Sequence, residues 1–279
     1  MGLGLAIRRA ANHAYPCCRA IINSMIANSD VLNERMLREA RWLGKDAYPA
    51  HEEWSAELEE LLQFLQAHNR LNSFWPRLTG PRTQERDDAL QEIRVARFLH
   101  ANAYPIVQWE PPGNGNYIGE FSVGVLPAPI FIEIKSPGWE AELSQEERDA
   151  GRAKQAKYQE IRGGADGPWR AIRSSIRKAY PKFRSTQPNL LVIADDRFMA
   201  LAGWGKLAAE HALFIRSTAL DGEAGYFTTS EFENLGGVAL FKTEVFLSGG
   251  LRYTFLLYPN PTARIETALP PAFIKSFLQ

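Results

Sequence analysis

A glutamate and a lysine stand two positions apart inside an apolar segment, PIFIEIKS, at residues 129–136. Charged side chains are rarely buried unless they are paired or bind a ligand. If the segment is a β-strand, its side chains alternate between the two faces of a sheet. The three isoleucines then lie on one face, and Glu133 and Lys135 lie with Phe131 on the other. The spacing therefore predicts a carboxylate and an ammonium group side by side on one face.

A second glutamate, Glu120, lies in the middle of the preceding apolar segment, YIGEFSVGVL, at residues 117–126. Consecutive short strands favour antiparallel pairing, in which directly opposite residues share a face. A two-residue loop at 127–128 would place Glu120 opposite Lys135, with Glu133 on the diagonal. A three-residue loop would place Glu120 on the other face unless a bulge restored the alternation. The shorter loop is therefore the register that brings the three side chains together.

Two carboxylates and an ammonium group on one face suit the binding of a hard cation. Mg²⁺ takes oxygen ligands from one or two carboxylates and keeps several waters. A neighbouring lysine can orient or deprotonate a water, so metal and lysine together suit hydrolysis of a phosphodiester. Glu92, on the helix predicted before these strands, could add a further carboxylate. The alternative is a salt bridge from Lys135 to Glu120 or Glu133, although a buried ion pair is usually not a net stabiliser.

The segments that must position these residues predict an α/β protein with a mixed sheet. Three consecutive short strands indicate an antiparallel meander, and the apolar segment NLLVIADD is typical of a buried central strand. A helix that crosses between two strands makes part of the sheet parallel. The predicted strands cover residues 104–110, 117–126, 129–135, 189–196, 236–246 and 251–258, and the predicted helices cover residues 86–101, 138–162, 169–180 and 199–215.

The N-terminal part of the chain predicts helices and no strand. Apolar residues recur at helical spacing over residues 31–44 and 51–68, and residues 1–30 are expected to be flexible. The segment FWPRLTGPRT, within residues 70–84, contains two prolines and a glycine. These residues interrupt regular structure, so the segment predicts a connection between the helical region and the strands.

The helix that follows the strands is strongly basic. Residues 169–184, WRAIRSSIRKAYPKFR, contain six basic residues and no acidic one. Three arginines recur at helical spacing, which suits contact with a phosphate backbone, and two lysines accompany them. The alternative is a solvated helix face that pairs with acidic helices. The candidate nucleic-acid-binding residues are Arg170, Arg173, Arg177, Lys178 and Lys182.

The order of the acidic residues resembles that of the PD-(D/E)xK nuclease superfamily: a glutamate on a helix, an acid on a strand, and an E-x-K motif on the next strand. The resemblance lies in QEIRVARFLHANAYPI, YIGEFSV, IFIEIKSPG, IRSSIRKAYPKF and PNLLVIADD, and covers about residues 86–200. It implies that Glu120 and Glu133 bind Mg²⁺, with Mn²⁺ as a substitute, that Lys135 assists the attacking water, and that Glu92 is the helix acid found in many members. Two features depart from the family pattern. The first acid is a glutamate without a preceding proline, and about 33 residues separate E-x-K from the basic helix.

The resemblance implies a metal-dependent nuclease with DNA as its partner, and a homodimer is compatible with it. It places a restriction-endonuclease-like core, with a mixed central sheet flanked by helices, at residues 85–279, after a helical region at residues 1–84. One alternative is a nucleic-acid-binding or scaffold protein that keeps this fold without cleavage. Another is a phosphatase-like enzyme centred on Asp195 and Asp196.

Composition excludes few classes of protein. The 32 Lys and Arg residues balance the 32 Asp and Glu residues, so overall charge indicates no partner. The only cysteines, Cys17 and Cys18, are adjacent, which suits a reducing cytoplasm better than a structural disulfide. No apolar run reaches the ~18 residues that a membrane span needs, so we expect a cytoplasmic protein without a membrane. The segment GNGNYIG, at residues 113–119, is one residue too long for a dinucleotide-binding motif and predicts a turn.

Overall fold

The computed structural model describes residues 51–79, 83–136, 167–195, 204–215, 224–245 and 251–278. Within them, a six-stranded mixed β-sheet is flanked by α-helices, which confirms the predicted α/β class. The helices are α1 (His51–Ala67), α2 (Leu71–Thr79), α3 (Thr83–Ala101), α4 (Gly167–Ala179), α5 (Trp204–Phe214) and α6 (Pro271–Phe277). The strands are β1 (Ile106–Trp109), β2 (Phe121–Val123), β3 (Ile130–Lys135), β4 (Asn189–Asp195), β5 (Gly237–Val245) and β6 (Leu251–Pro259).

The strands lie in the sheet in the order in which they follow one another along the chain, from β1 to β6. β1, β2 and β3 form the predicted antiparallel meander. β4 runs parallel to β3 and to β5, and β6 returns antiparallel to β5. Parallel neighbours need a crossover connection, and α5 lies between β4 and β5 in the chain, as predicted.

The register between β2 and β3 puts Glu120 on the predicted face but not opposite the predicted residue. The backbone N–H of Glu120 donates to the carbonyl of Ile132 at 3.1 Å, and the residue after Glu120 pairs with Ile132. Continuing this register by one residue puts Glu120 opposite Glu133, so the predicted pairing with Lys135 was wrong by two positions. The connection spans residues 124–129 and not two residues, because its prolines cannot donate hydrogen bonds to a ladder.

Helices cover both faces of the sheet because the strands alternate apolar side chains between the two faces. On one face, the isoleucines of β3 pack with α3 and α6. On the other face, Phe131 and apolar residues of β4 and β5 pack against α4 and α5. A further apolar cluster joins α1, α2 and α3. Glu133 lies on the same face of β3 as Phe131, so its side chain points to the α4 side of the sheet.

Helix α2 lies where the sequence predicted a connection. Pro76 is inside this helix, where its missing N–H removes one backbone hydrogen bond, so the residue pattern favoured a break. Phe74 and Leu78 are four residues apart and both are buried in the cluster shared with α1 and α3. This apolar burial stabilises the helix in spite of its proline, and the prediction of a connection was wrong.

Several predictions concern residues that the structure does not describe. The predicted helices at residues 31–44 and 138–162 lie outside the described ranges, as does Asp196. Asp195 is the last residue of β4, and its backbone pairs with Lys242 of β5. In the part of the chain that is described, no helix combines the length and the apolar composition needed to cross a membrane.

Candidate active site

Glu133 lies at the centre of a charged cluster on the α4 side of the sheet. It belongs to β3, and its side chain is 0 % exposed. Two ammonium groups approach the same carboxylate oxygen: Nζ of Lys135 lies 2.7 Å, and Nζ of Lys182 2.6 Å, from Oε1. Lys135 comes from the same strand, whereas Lys182 comes from the 3₁₀ turn that follows α4. The pairing expected from alternation is present, and a second lysine joins it.

The two oxygens of Glu133 differ in their surroundings. Oε1 meets both lysines at ion-pair distance, although without the angles of regular hydrogen bonds. Oε2 is buried and has no hydrogen-bond partner among the described residues. Burial of an ionised carboxylate is costly unless its oxygens are paired or bind a cation. Glu133 therefore has one oxygen with the chemistry of a cation ligand and one oxygen that pairs with two lysines.

Gly119 allows Glu120 to reach this cluster. A Cβ atom at position 119 would come within 3.0 Å of three ring carbons of Phe131, so the chain can pass over the ring only because residue 119 has no side chain. Phe131 is buried, and its ring packs edge-on against Phe183 with 6.0 Å between ring centroids. The ring has little room to move aside. This close approach fixes the backbone immediately before Glu120.

The pKa of Glu120 is raised from its ordinary value of 4.5 to about 8, mainly by burial and then by the negative charges of Glu92 and Glu133. The positive charges of Lys182 and Lys135 oppose this rise. These four side chains therefore surround Glu120 closely enough to act on its charge. With no further cation nearby, Glu120 keeps its proton at neutral pH, and a bound cation would favour the ionised form.

Glu92 reaches the cluster from α3 and is held by Arg77 of α2. Nη1 and Nη2 of Arg77 donate to Oε2 and Oε1 of Glu92 at 2.6 and 2.5 Å, which is a bidentate pair. The hydrogen bond to Glu92 is the main cause that raises the pKa of Arg77. Both side chains lie in a cleft of about 270 Å³. The cleft is lined by Arg77, Asp88, Glu92, Glu120, Ile134, Lys135 and Ser136.

The basic helix α4 does not present all of its predicted residues to solvent. Arg173 is 2 % exposed, and its guanidinium lies over the rings of Trp169 and Tyr226, at 4.6 and 5.0 Å from their centroids. It also donates to backbone carbonyls at residues 212 and 224. This burial corrects the prediction of a phosphate contact at Arg173. The exposed members of the predicted set are Arg170, Arg177 and Lys178.

Two contacts of the cleft were not predicted from the sequence. Arg77 lay in the segment that was predicted to be a connection, although the four-residue spacing of Phe74 and Leu78 was an available signal for a helix. Lys182 was predicted to contact a phosphate, and in the structure it contacts Glu133. No local spacing relates residues so distant in the chain, so this contact required the tertiary structure.

The acids of the cleft form a small potential ligand set for a metal ion. Within the described residues, no group of three or more His, Cys, Asp or Glu side chains could hold a metal ion. Mg²⁺ needs only one or two carboxylates because waters complete its shell. Glu120, which lines the cleft, and the buried Glu133, which the continued β2–β3 register places opposite it, provide two.

Comparisons with protein-family models, with curated proteins and with solved structures find no match to this chain. The chemistry of the cleft is therefore the basis on which a function can be proposed.

Proposed function

We propose that this chain is a metal-dependent nuclease, which hydrolyses phosphodiester bonds with Mg²⁺ and acts on DNA. The observation that carries the proposal is the meeting of Glu120, Glu133 and Lys135 on one face of the sheet, beside Glu92. The order of elements from α3 through β1, β2, β3 and α4 to β4 supports a restriction-endonuclease-like core. The order of the acids and the lysine along these elements supports a PD-(D/E)xK site.

Glu120 and Glu133 are the residues that would hold Mg²⁺, and Mn²⁺ could replace it. Two observations support the fit. Oε2 of Glu133 is buried without a hydrogen-bond partner among the described residues, and the pKa of Glu120 is raised to about 8, which a cation would lower. When bound, the metal would supply Lewis-acid stabilisation of the phosphate charge and a more acidic bound water. Glu92, which Arg77 holds, adds negative charge beside Glu120.

Lys135 and Lys182 supply positive charge close to the phosphate, where negative charge develops during hydrolysis. Both ammonium groups lie against Oε1 of Glu133, so the carboxylate holds them close to each other. Lys135 also lines the cleft, and we assign it the orientation of the attacking water. Lys182 belongs to the basic segment that follows α4, and we assign it contact with the scissile phosphate.

A nicking assay on supercoiled plasmid DNA tests the proposal. Wild type should nick the plasmid with Mg²⁺ or Mn²⁺ but not with excess chelator, and Lys135→Ala should be inactive. Lys275→Ala is the matched control because Lys275 is an exposed lysine on α6, a helix that packs on the opposite face of the sheet from Lys135. Equal activity of wild type and Lys135→Ala on DNA and RNA substrates would refute the hydrolytic role.

A nucleic-acid-binding protein that keeps this fold without cleavage is the alternative. The observation that favours it is that cationic side chains already neutralise two of the acids. Arg77 holds both oxygens of Glu92, and two lysines meet Glu133. Such ion pairs can hold a binding surface together without a metal. Binding of DNA that is the same with and without chelator, together with no nicking by wild type, would support this alternative.

A further inference from the structure

The hairpin between β1 and β2 exposes large apolar side chains close to the candidate active site. Tyr117 is 51 % exposed and Ile118 is 56 % exposed. Pro112 and Ile118 form a β-bridge, and the N–H of Gly113 donates to the carbonyl of Tyr117 at 2.7 Å. The predicted turn is thus an ordered extension of the hairpin, and it presents an aromatic side chain to solvent.

The hairpin is fixed to the segment that carries Lys182. The N–H of Asn114 donates to the carbonyl of Lys182 at 2.8 Å, and Nε of Arg184 donates to the carbonyl of Gly113 at 2.6 Å. A Cβ atom at position 113 would lie 2.7 Å from the carbonyl oxygen of Lys182, so this approach requires a glycine. Because Nζ of Lys182 contacts Glu133, the hairpin is held in a defined position relative to the acids.

Tyr117 is related to the cleft by its short distance along the chain from Glu120 and by the positive charge of the segment that adjoins its hairpin. Tyr117 lies three residues before Glu120, so their Cα atoms are at most about 10 Å apart at the extension of about 3.3–3.6 Å per residue. That distance equals the axial length of about three nucleotides in one strand. The segment at residues 169–184, which includes Lys182, has six basic residues and no acidic one, and Arg170, Arg177 and Lys178 are its exposed members on α4. An exposed aromatic side chain therefore lies on a hairpin that is bonded to this basic segment, and its Cα atom is at most about 10 Å from that of Glu120.

We propose that Tyr117 stacks on an unpaired base next to the scissile phosphate, so that the preferred substrate is nucleic acid with single-stranded bases. This inference rests on the proposed nuclease function and names the substrate class of the same site. Aromatic side chains in a basic groove bind single strands by stacking, whereas the bases of a duplex already stack on one another. The positive charge of the adjoining segment favours a nucleic acid over an apolar protein partner.

Binding measured without turnover tests this inference. Fluorescence anisotropy in the presence of chelator would measure binding of a labelled single strand of about 20 nucleotides and of the matching duplex. This length exceeds the ~4–16 nucleotides of typical single-strand sites. Tyr117→Ala should weaken single-strand binding about tenfold or more and change duplex binding little, and Tyr117→Phe should bind like wild type. Leu126→Ala is the control because Leu126 is an exposed apolar residue, 90 % exposed, on the β2–β3 connection.

A single strand that contains 2-aminopurine gives a second readout that needs no variant, because stacking on an aromatic ring quenches its fluorescence. Wild type is expected to quench the fluorescence of 2-aminopurine. The proposal would be overturned if no quenching occurred wherever 2-aminopurine was placed in the strand. Unchanged single-strand binding by Tyr117→Ala, or tighter binding of duplex than of single strand by wild type, would overturn it as well. The nuclease proposal is tested by a different result: it fails if wild type and Lys135→Ala nick plasmid DNA equally.

Discussion

Replacement of Glu120 by glutamine should make the metal-free protein more stable than wild type at alkaline pH, although it removes a proposed metal ligand. The pKa of Glu120 in the folded protein is about 8, well above the ordinary 4.5, because the carboxyl is buried beside Glu92 and Glu133. A carboxyl with a raised pKa contributes its full stability below about pH 4.5 and loses it as the pH rises towards 8. Glutamine has nearly the same shape and no charge to acquire.

The size of the effect follows from the proton count of the two states. Between the two pKa values, the folded protein holds one proton more than the unfolded chain. The free energy of unfolding therefore falls by about 1.4 kcal/mol per pH unit in this range. From pH 5 to pH 8, wild type should lose about 3.5 kcal/mol of stability relative to Glu120→Gln, because the slope is smaller near each pKa.

Urea denaturation of both proteins in chelator, from pH 5 to pH 9, measures this difference. Other titrating groups, such as His68, are common to both proteins and cancel when the two curves are subtracted. The burial of Glu120 among acids would be refuted if the difference in the free energy of unfolding between the two proteins stayed constant over this range. It would also be refuted if wild type became more stable relative to the variant as the pH rose. Added Mg²⁺ at pH 8 should stabilise wild type more than the variant, because a bound cation favours the ionised carboxylate.

Two further predictions concern the framework of the site. Gly119→Ala places a methyl group against the buried ring of Phe131 and displaces Glu120, so plasmid nicking should fall by about 100-fold; an active variant would contradict the close approach. Arg94→Met should lower the free energy of unfolding by about 3–5 kcal/mol, because it removes the only cation bonded to Glu57 among the described residues, at 2.9 and 2.8 Å, and leaves this buried carboxylate with the Tyr253 hydroxyl as its remaining donor. Urea denaturation checks this, and the double variant Arg94→Met/Glu57→Leu should recover most of the loss.

Alternation along a strand predicted which charged residues share a face, because side chains of a strand project to opposite sides in strict order. The ion pair between Glu133 and Lys135, and the face on which Glu120 lies, follow from this rule. The long apolar segments of β3 and β4 and the amphipathic spacing of α1 were equally informative. Their predicted and observed ends differ by at most one residue.

Other features required tertiary information. The register of the β2–β3 hairpin depends on the path of residues 124–129, whose prolines keep them out of the ladder. Helix α2 depends on the burial of Phe74 and Leu78, which stabilises a segment interrupted by Pro76. Arg173 has the same helical spacing whether it faces a phosphate or the aromatic rings that it contacts. Local patterns cannot distinguish these outcomes because the deciding contacts come from distant parts of the chain.

The initial rate of plasmid nicking by wild type and Lys135→Ala at saturating Mg²⁺ tests the central claim most directly. A side chain that assists proton transfer contributes about 10²–10⁴-fold to a rate, so we predict a fall of at least about 100-fold in Lys135→Ala. Lys275→Ala should nick at the wild-type rate. Equal rates for wild type and Lys135→Ala, or nicking that persists in excess chelator, would contradict a metal-dependent site built on Glu120, Glu133 and Lys135.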